Sequence, residues 1–413
     1  MLSLFKRRAR RDETGTAVTR LATSRFVSMA GTDASGVAIG FALYAQTHSA
    51  QWLSLSLMLT IGTSAVLSPI AGKAGDLLDR RRLMIGAEFV SAALFAGLAL
   101  LHTPVALLAL GLLASAIGTV FGPASGASIA HIAGEKHLAW ANGLIATGTN
   151  VGKTAGRLGA GVLIAALGAA SVFVLDAITF VVSAFLIRSV RKGFSGSLHE
   201  PAADGPQDAE QSGGLRVLLA NHKIKLVAAS ACISTFATAF TMTAEVPLVF
   251  HLGAGAIGLG ALTACWGGGM VLGSWYGGRV LHRDNEATGV LAGRLAMASG
   301  IGLVALAPAL APALACYLLG GLGGGFMGVA VQSLIMRNVP DRLRARTLGA
   351  METCRNVAFG LGVAGAGVAV QLLGPREVYG LVGLVLVLGT LPVATLVFRL
   401  GGPRALRAAP AAA

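Results

Sequence analysis

Residues 72–82 read GKAGDLLDRRR, a hydrophilic run that separates two apolar segments, 51–71 and 83–102. Each segment is long enough to cross a lipid bilayer, since a spanning helix needs about 20 apolar residues. Glycine lets the backbone turn, carboxylates stabilise helix N-termini, and clustered arginines favour the cytoplasmic side of a membrane. The run therefore predicts a tight membrane hairpin and a candidate hinge. We call this hinge the gating loop; its residues are Gly72, Asp76, Asp79, Arg80, Arg81 and Arg82.

The whole chain is too apolar and too poor in charge for a soluble globular protein. Of its 413 residues, 54% are hydrophobic and 12% are charged, and the mean hydropathy is +0.73. The long, continuous apolar runs favour helices over barrel strands, which alternate in segments of about ten residues. We predict an all-α membrane protein with twelve transmembrane helices, near 22–46, 51–71, 83–102, 104–126, 144–167, 170–189, 224–248, 257–281, 288–308, 312–336, 349–373 and 377–399.

The chain is strongly basic, with a formal net charge of +14. Most of its Lys and Arg residues fall in loops on one side of the predicted membrane, whereas Arg376 lies in an opposite loop. This asymmetry is the positive-inside pattern, so it predicts that both termini are cytoplasmic. The charge is explained by the bilayer and its anionic lipids, and we expect no nucleic-acid partner.

The longest polar stretch divides the chain into two halves of six predicted spans. We predict a first six-helix bundle at 1–190, a flexible cytoplasmic linker at 191–222, and a second six-helix bundle at 223–413. The halves also repeat at a spacing of 206 residues, which places Asn150 on Asn356 and the run 159–162 on 365–368. Parallel six-span repeats are one architecture of secondary transporters, with the substrate site near the middle of the membrane between the halves.

Two sets of residues carry a family resemblance. The gating loop resembles the Gly-x-x-x-Asp-Arg-x-Gly-Arg-Arg signature between the second and third helices of the major facilitator superfamily, although Leu77 and Asp79 depart from it. Further motifs resemble bacterial drug and siderophore exporters related to the enterobactin exporter: Leu138-Ala-Trp-Ala-Asn-Gly143, Gly152-x-x-x-Gly156-Arg157-x-Gly159-x-Gly161 and Asp176-Ala-Ile-Thr-Phe180. In those exporters a proline follows the glycine at 156, where this chain has Arg157.

The resemblance implies the major facilitator fold, with a cavity lined by the first, fourth, seventh and tenth helices. It also implies proton-coupled export of a small organic molecule across the bacterial cytoplasmic (inner) membrane, by a protein that we expect to be a monomer. Two carboxylates within the predicted spans are candidates for proton coupling. Asp33 either takes up a proton or serves as a structural partner of an arginine or a cap at a helix break. Glu245 either meets substrate and protons or is a hydrated residue near the membrane surface.

Arg25, Lys153, Arg157, Arg294 and Arg355 lie within predicted spans, and such charges need a partner or a water-filled cavity; three of them are candidates for a site. Lys153 and Arg157 are four residues apart on one helix face, and Arg355 lies in the repeat-related eleventh span. They either form an anion-attracting substrate site or pair with Asp33, Glu245 or Glu352. Asn150 and Asn356, equivalent in the repeat, are further candidates for substrate contact or for contact with these charges.

No catalytic, nucleotide-binding or metal-binding constellation occurs in the sequence, so we expect neither an enzyme nor a resident cofactor or metal. The prediction is a secondary transporter whose partners are a small-molecule substrate, protons and lipid. An importer or facilitator of an organic anion, suggested by the three cations, is the alternative. A membrane sensor that has kept the transporter fold but lost transport is a third possibility.

Overall fold

The computed structural model describes residues 2–77, 79–101, 103–134, 137–190, 194, 222–281, 286–338, 341–391 and 393–394. These residues form helices and short connections, with no strand among them. A 3₁₀ turn at Val304–Leu306 extends the ninth helix. The helices are α1 Leu2–Thr47, α2 Ala50–Leu77, α3 Arg80–Leu100, α4 Pro104–Ala133, α5 Leu138–Leu167, α6 Ala169–Ser189, α7 His222–His251, α8 Gly255–Val280, α9 Glu286–Leu303, α10 Leu310–Asn338, α11 Asp341–Leu373 and α12 Pro375–Leu388.

The helices follow the predicted order of spans. Nine of the described helices are long and apolar enough to cross a membrane. The other three are α2, α5 and α12, of which α12 has only 14 described residues. Apart from Phe194 and His222, the predicted linker 191–222 lies outside the described residues, so its flexibility stays a prediction.

The helices group into two compact units. The first holds α1, α3–α6 and α2 from Leu55 onward, whereas the segment Ser49–Ser54 groups with α7–α12 in the second. We call α1–α6 the first bundle and α7–α12 the second bundle. In the first, α1 packs on α5 and α6, and α3 packs on α4 and α6. In the second, α7 packs on α11 and α12, and α9 packs on α10 and α12. These four helix pairs of the first bundle have counterparts in the second at the repeat spacing.

Glycine lets α1 and α5 approach closely in the first bundle. Side chains at Gly148, Gly152 and Gly156 on α5 would overlap the backbone of α1, and at Gly156 the obstacle is the carbonyl of Ala30. The second bundle repeats this contact between α7 and α11, where a side chain at Gly362 would meet the carbonyl of Phe236. Small residues spaced four apart are a common device for packing membrane helices.

A second repeated feature is a single glycine between two long helices. Gly168 joins α5 to α6 with φ 81°, and Gly374 joins α11 to α12 with φ 98°. These backbone angles are accessible to glycine and strained for other residues. The two glycines are 206 positions apart, so the turns are equivalent in the repeat.

Candidate functional site

The gating loop is mostly helical, because the helices on either side extend beyond the predicted spans 51–71 and 83–102. Helix α2 continues through Leu77 and α3 begins at Arg80, so that only residues 78 and 79 separate the helices. Asp79 caps α3, since its carboxylate accepts a hydrogen bond from the backbone N–H of Arg82 at 2.8 Å. This capping explains the aspartate where the family signature has glycine. The side chains of Gly72 and Asp76 lie outside the described part of the chain.

Two arginines bind the C-terminal end of α6 in the first bundle. Arg81 donates to the carbonyl of Arg188, and Arg20 on α1 donates to the carbonyl of Ser189. The last carbonyls of a helix have no partner within it, and cations satisfy both their hydrogen bonding and the helix dipole. Arg81 also lies over the ring of Phe194, 5.6 Å from its centroid. The start of α3 and the first helix are therefore attached to the end of α6, whereas Arg82 is exposed.

Asp33 and Arg157 form an ion pair between α1 and α5. The Nε atom of Arg157 lies 2.8 Å from Oδ1 of Asp33, and the exposed fractions of the two side chains are 47% and 12%. The contact lies one residue beyond Gly156, where the two backbones are closest. Of the two sequence-based alternatives for Arg157, this geometry matches the pairing with a carboxylate.

The other predicted polar residues of α5 and α11 do not converge on that pair. Lys153 is exposed and makes no hydrogen bond or ion pair with a described residue, and Asn150 and Asn356 are also exposed. Arg355 pairs with Glu352 on its own helix at 3.0 Å and donates to the hydroxyl of Thr235 at 3.2 Å. In each bundle, one of the predicted arginines therefore pairs with an acid of the same bundle: Arg157 with Asp33, and Arg355 with Glu352.

Glu245 lies half-buried on α7, beside a pair of buried tyrosines. The hydroxyls of Tyr317 and Tyr379 are hydrogen-bonded to each other, and that of Tyr379 donates to the carbonyl of Thr241 at 3.3 Å. Glu245 interacts electrostatically with both tyrosines. This carboxylate is thus part of a polar cluster in the interior of the second bundle, not a simple surface residue.

Glu88, which is not among the predicted site residues, lies on α3 and is 2% exposed. Its Oε1 atom accepts a hydrogen bond from the hydroxyl of Ser183 at 2.7 Å, and that hydroxyl is 2.7 Å from the hydroxyl of Ser24. Its Oε2 atom has no hydrogen-bond partner in the described part of the chain. A nearby second acid, Asp176 on α6, is fully buried and accepts from Thr179 at 3.0 Å.

A fully buried arginine occupies the equivalent place in the second bundle. Arg294 on α9 donates to the carbonyls of Ser230 at 2.6 Å and Gly389 at 3.2 Å. Each of these three residues is 206 positions after Ser24, Glu88 or Ser183. The repeat spacing of 206 residues could therefore have predicted both clusters. It aligns Glu88 with Arg294, however, and these residues differ in type and charge, so a search for identical residues in the two halves does not find them.

No group of three or more His, Cys, Asp or Glu side chains among the described residues could hold a metal ion. Most of the charged and hydroxyl side chains described above lie inside two repeated helical bundles and bind one another or backbone carbonyls. A family model described as the Major Facilitator Superfamily matches residues 21–363 and 227–413. The chain belongs to the major facilitator superfamily. It is a transporter and not an enzyme.

Relatives of this transporter share its length and fold. YfiS of Bacillus subtilis (strain 168), an uncharacterized MFS-type transporter, is 25% identical over 358 residues that cover 84% of each chain. The nucleoside transporter NupG has a TM-score of 0.72 at 11% identity, covering 92% of this chain and 98% of that one. A bacterial homologue of the iron transporter ferroportin, in an inward-facing state, has a TM-score of 0.70 at 16% identity with the same coverage. The two structural likenesses show the fold alone, and the finer resemblance to enterobactin exporters stays a prediction.

Proposed function

We propose that the protein is a secondary active transporter that exports a small organic molecule in exchange for protons by alternating access. The ion pair between Asp33 and Arg157 carries this proposal. A carboxylate that takes up a proton loses its attraction to an arginine, so protonation of Asp33 would remove this ionic contact between α1 and α5. Such a link between proton uptake and helix contact is what coupled transport requires. The resemblance to drug and siderophore exporters supports the outward direction and these substrate classes.

The proposed location is the bacterial inner membrane, with both termini in the cytoplasm. The asymmetric distribution of Lys and Arg supports this orientation. The gating loop then lies on the cytoplasmic side, where Arg81 of the loop and Arg20 of α1 bind the end of α6.

Transport in membrane vesicles tests the proposal. We expect inverted vesicles that contain the protein to accumulate at least one compound from a panel of labelled antibiotics, siderophores and secondary metabolites when a proton gradient is imposed. Asp33→Asn should keep exchange of that compound across the membrane but lose accumulation driven by the gradient. Arg279→Gln, a charge removal in the second bundle, is the control and should behave as the wild type. Equal loss of exchange and accumulation in Asp33→Asn would assign the carboxylate a structural role instead.

A second candidate function, import or facilitated passage of an organic anion, is supported by Lys153. Its ammonium is exposed and has no partner among the described residues, so it is available to an anion. In this case Lys153→Gln should reduce the flux of anions and leave that of neutral compounds unchanged. Inward flux that is independent of the proton gradient would favour this candidate over the exporter.

A further inference from the structure

A cavity of about 510 Å³ lies inside the first bundle, enclosed mainly by α1, α2, α3 and α4. Its size is within the range of small-molecule sites, roughly 300–1,000 Å³. Each of the four helices contributes hydroxyl groups, among them Ser28, Thr60, Ser91 and Ser115. The rings of Phe95 and Phe180, stacked with centroids 5.4 Å apart, form part of the apolar wall. The cavity thus combines hydrogen-bonding groups with an apolar surface.

Two opposite charges, Arg25 and Glu88, share the wall of this cavity. They interact electrostatically but do not form an ion pair, since no described carboxylate lies within 4.0 Å of the Arg25 guanidinium. The guanidinium lies over the ring of Phe121, 5.0 Å from its centroid. Glu88 is almost completely buried, and its Oε2 atom has no hydrogen-bond partner among the described residues. Both charged groups therefore keep unused hydrogen-bonding capacity beside the same space.

The two charges restrict what the cavity can bind. A simple cation would be attracted by Glu88 and repelled by Arg25, and a simple anion would be attracted by Arg25 and repelled by Glu88. A neutral apolar molecule would leave both charged groups dehydrated and without compensation. A molecule that carries an ammonium and a carboxylate can satisfy both groups at once, in the way that complementary charges fix orientation in other sites.

We propose that the cavity of the first bundle binds a zwitterionic small molecule of the amino-acid type. Its ammonium group lies against Glu88, its carboxylate lies against Arg25, and its side chain lies against the phenylalanine wall. This site lies within one bundle and is separate from the Asp33–Arg157 pair, so it goes beyond the proposed export function.

The second bundle provides an internal comparison. At the repeat position of Glu88 it has Arg294, which is fully buried and bound to two backbone carbonyls. At the repeat position of Arg25 it has Ala231. The second bundle therefore uses this position to join its own helices, and the combination of acid and base beside a cavity is built into the first bundle.

Binding to the purified full-length protein in detergent tests the proposal without any gradient or flux. The probes are phenylalanine, phenethylamine, which lacks the carboxylate, and 3-phenylpropionate, which lacks the amine. Alanine and the dipeptide of phenylalanine extend the range of size. We expect at least one zwitterion to bind about tenfold or more tightly than either singly charged probe, as measured by calorimetry or labelled-ligand competition.

Variants assign the two charges. Glu88→Gln should weaken zwitterion binding about tenfold and leave 3-phenylpropionate binding equal or stronger, whereas Arg25→Gln should favour phenethylamine. Glu377→Gln and Arg279→Gln, which remove exposed charges of the second bundle, are matched controls and should leave all affinities unchanged. The three-probe comparison on the wild-type protein holds even if a variant fails to fold.

Two outcomes would overturn the proposal. The first is that no zwitterion of the series binds. The second is that a singly charged probe binds as tightly as the zwitterion. Zwitterion binding by a protein that shows no gradient-driven flux would overturn the export function alone.

Discussion

Asp33 and Arg157 differ in burial, and this difference predicts how substitutions will behave. Asp33 is 12% exposed whereas Arg157 is 47% exposed, so solvent screens the pair from one side. Arg157→Ala leaves a mostly buried carboxylate without its cation, and we expect it to lower the free energy of unfolding by about 1 kcal/mol, the upper end for an exposed pair and below the range for a buried one. Adding Asp33→Asn should recover most of that loss. Thermal unfolding of the detergent-solubilised protein measures both effects.

Arg279→Ala is the control for this cycle, because Arg279 lies over the ring of Trp275 in the second bundle. The change in stability caused by Arg279→Ala should be the same with and without Asp33→Asn. A double variant that is less stable than Arg157→Ala alone would show that Asp33 has another partner.

Arg294 yields a prediction about geometry as well as charge. One guanidinium nitrogen, Nη1, donates to the carbonyls of Ser230 on α7 and Gly389 just after α12. A lysine keeps the charge, but its side chain is shorter and lacks the planar guanidinium, so its ammonium does not reach the position of Nη1. We expect Arg294→Lys to destabilise the protein by about 1–3 kcal/mol, the range for a buried group left unsatisfied. Thermal unfolding that matches the wild type would show that the guanidinium is not needed; Arg279→Lys serves as the comparison.

The charged residues show why the candidate site was only partly predictable. Asp33, Arg157 and Arg355 could be found because isolated charges in apolar runs require explanation. The acid that pairs with each arginine could not be predicted, because Asp33 is 124 positions from Arg157 while Glu352 is three from Arg355. Glu88 was missed because it looks like one acid near the start of a span, and its partner Ser183 is 95 positions away.

At the scale of helices, the glycine contacts between α1 and α5 and between α7 and α11 predict equivalent effects in the two bundles. Gly156→Ala and Gly362→Ala each place a methyl group against a backbone carbonyl, which cannot move without shifting a helix. We expect each to lower the free energy of unfolding by about 1–3 kcal/mol. Gly159→Ala has open space at its Cβ position and is the matched control. Gly156→Ala with control-like stability would mean that α1 and α5 separate easily.

The helices themselves were largely predictable, because long apolar runs determine where a chain can cross a bilayer. The ends were less so. Helix α2 continues to Leu77 through residues that are polar but compatible with a helix, and its length cannot be read from hydropathy. The start of α3 was readable in principle, since Asp79 is a good N-cap residue three positions before Arg82.

For the whole molecule, the orientation in the membrane is open to direct labelling. The variant without native cysteines replaces Cys232, Cys265, Cys316 and Cys354, all of which are free thiols. In that background, we expect a membrane-impermeant reagent to label a cysteine at Arg80 only from the cytoplasmic side and one at Arg376 only from outside. Labelling of position 80 in intact cells would reverse the orientation.

The one-residue turn at Gly168 also limits how the first bundle can be made. With a single residue between α5 and α6, we expect the two helices to enter the bilayer together as one hairpin. Helix α6 is long and apolar enough to cross a membrane by itself. Helix α5 carries Lys153 and Arg157 and does not meet that criterion. Biosynthetic insertion of α5 should therefore depend on α6. A nascent chain that ends before Gly168 should leave α5 outside the membrane, and one that continues through Ser189 should bring it in.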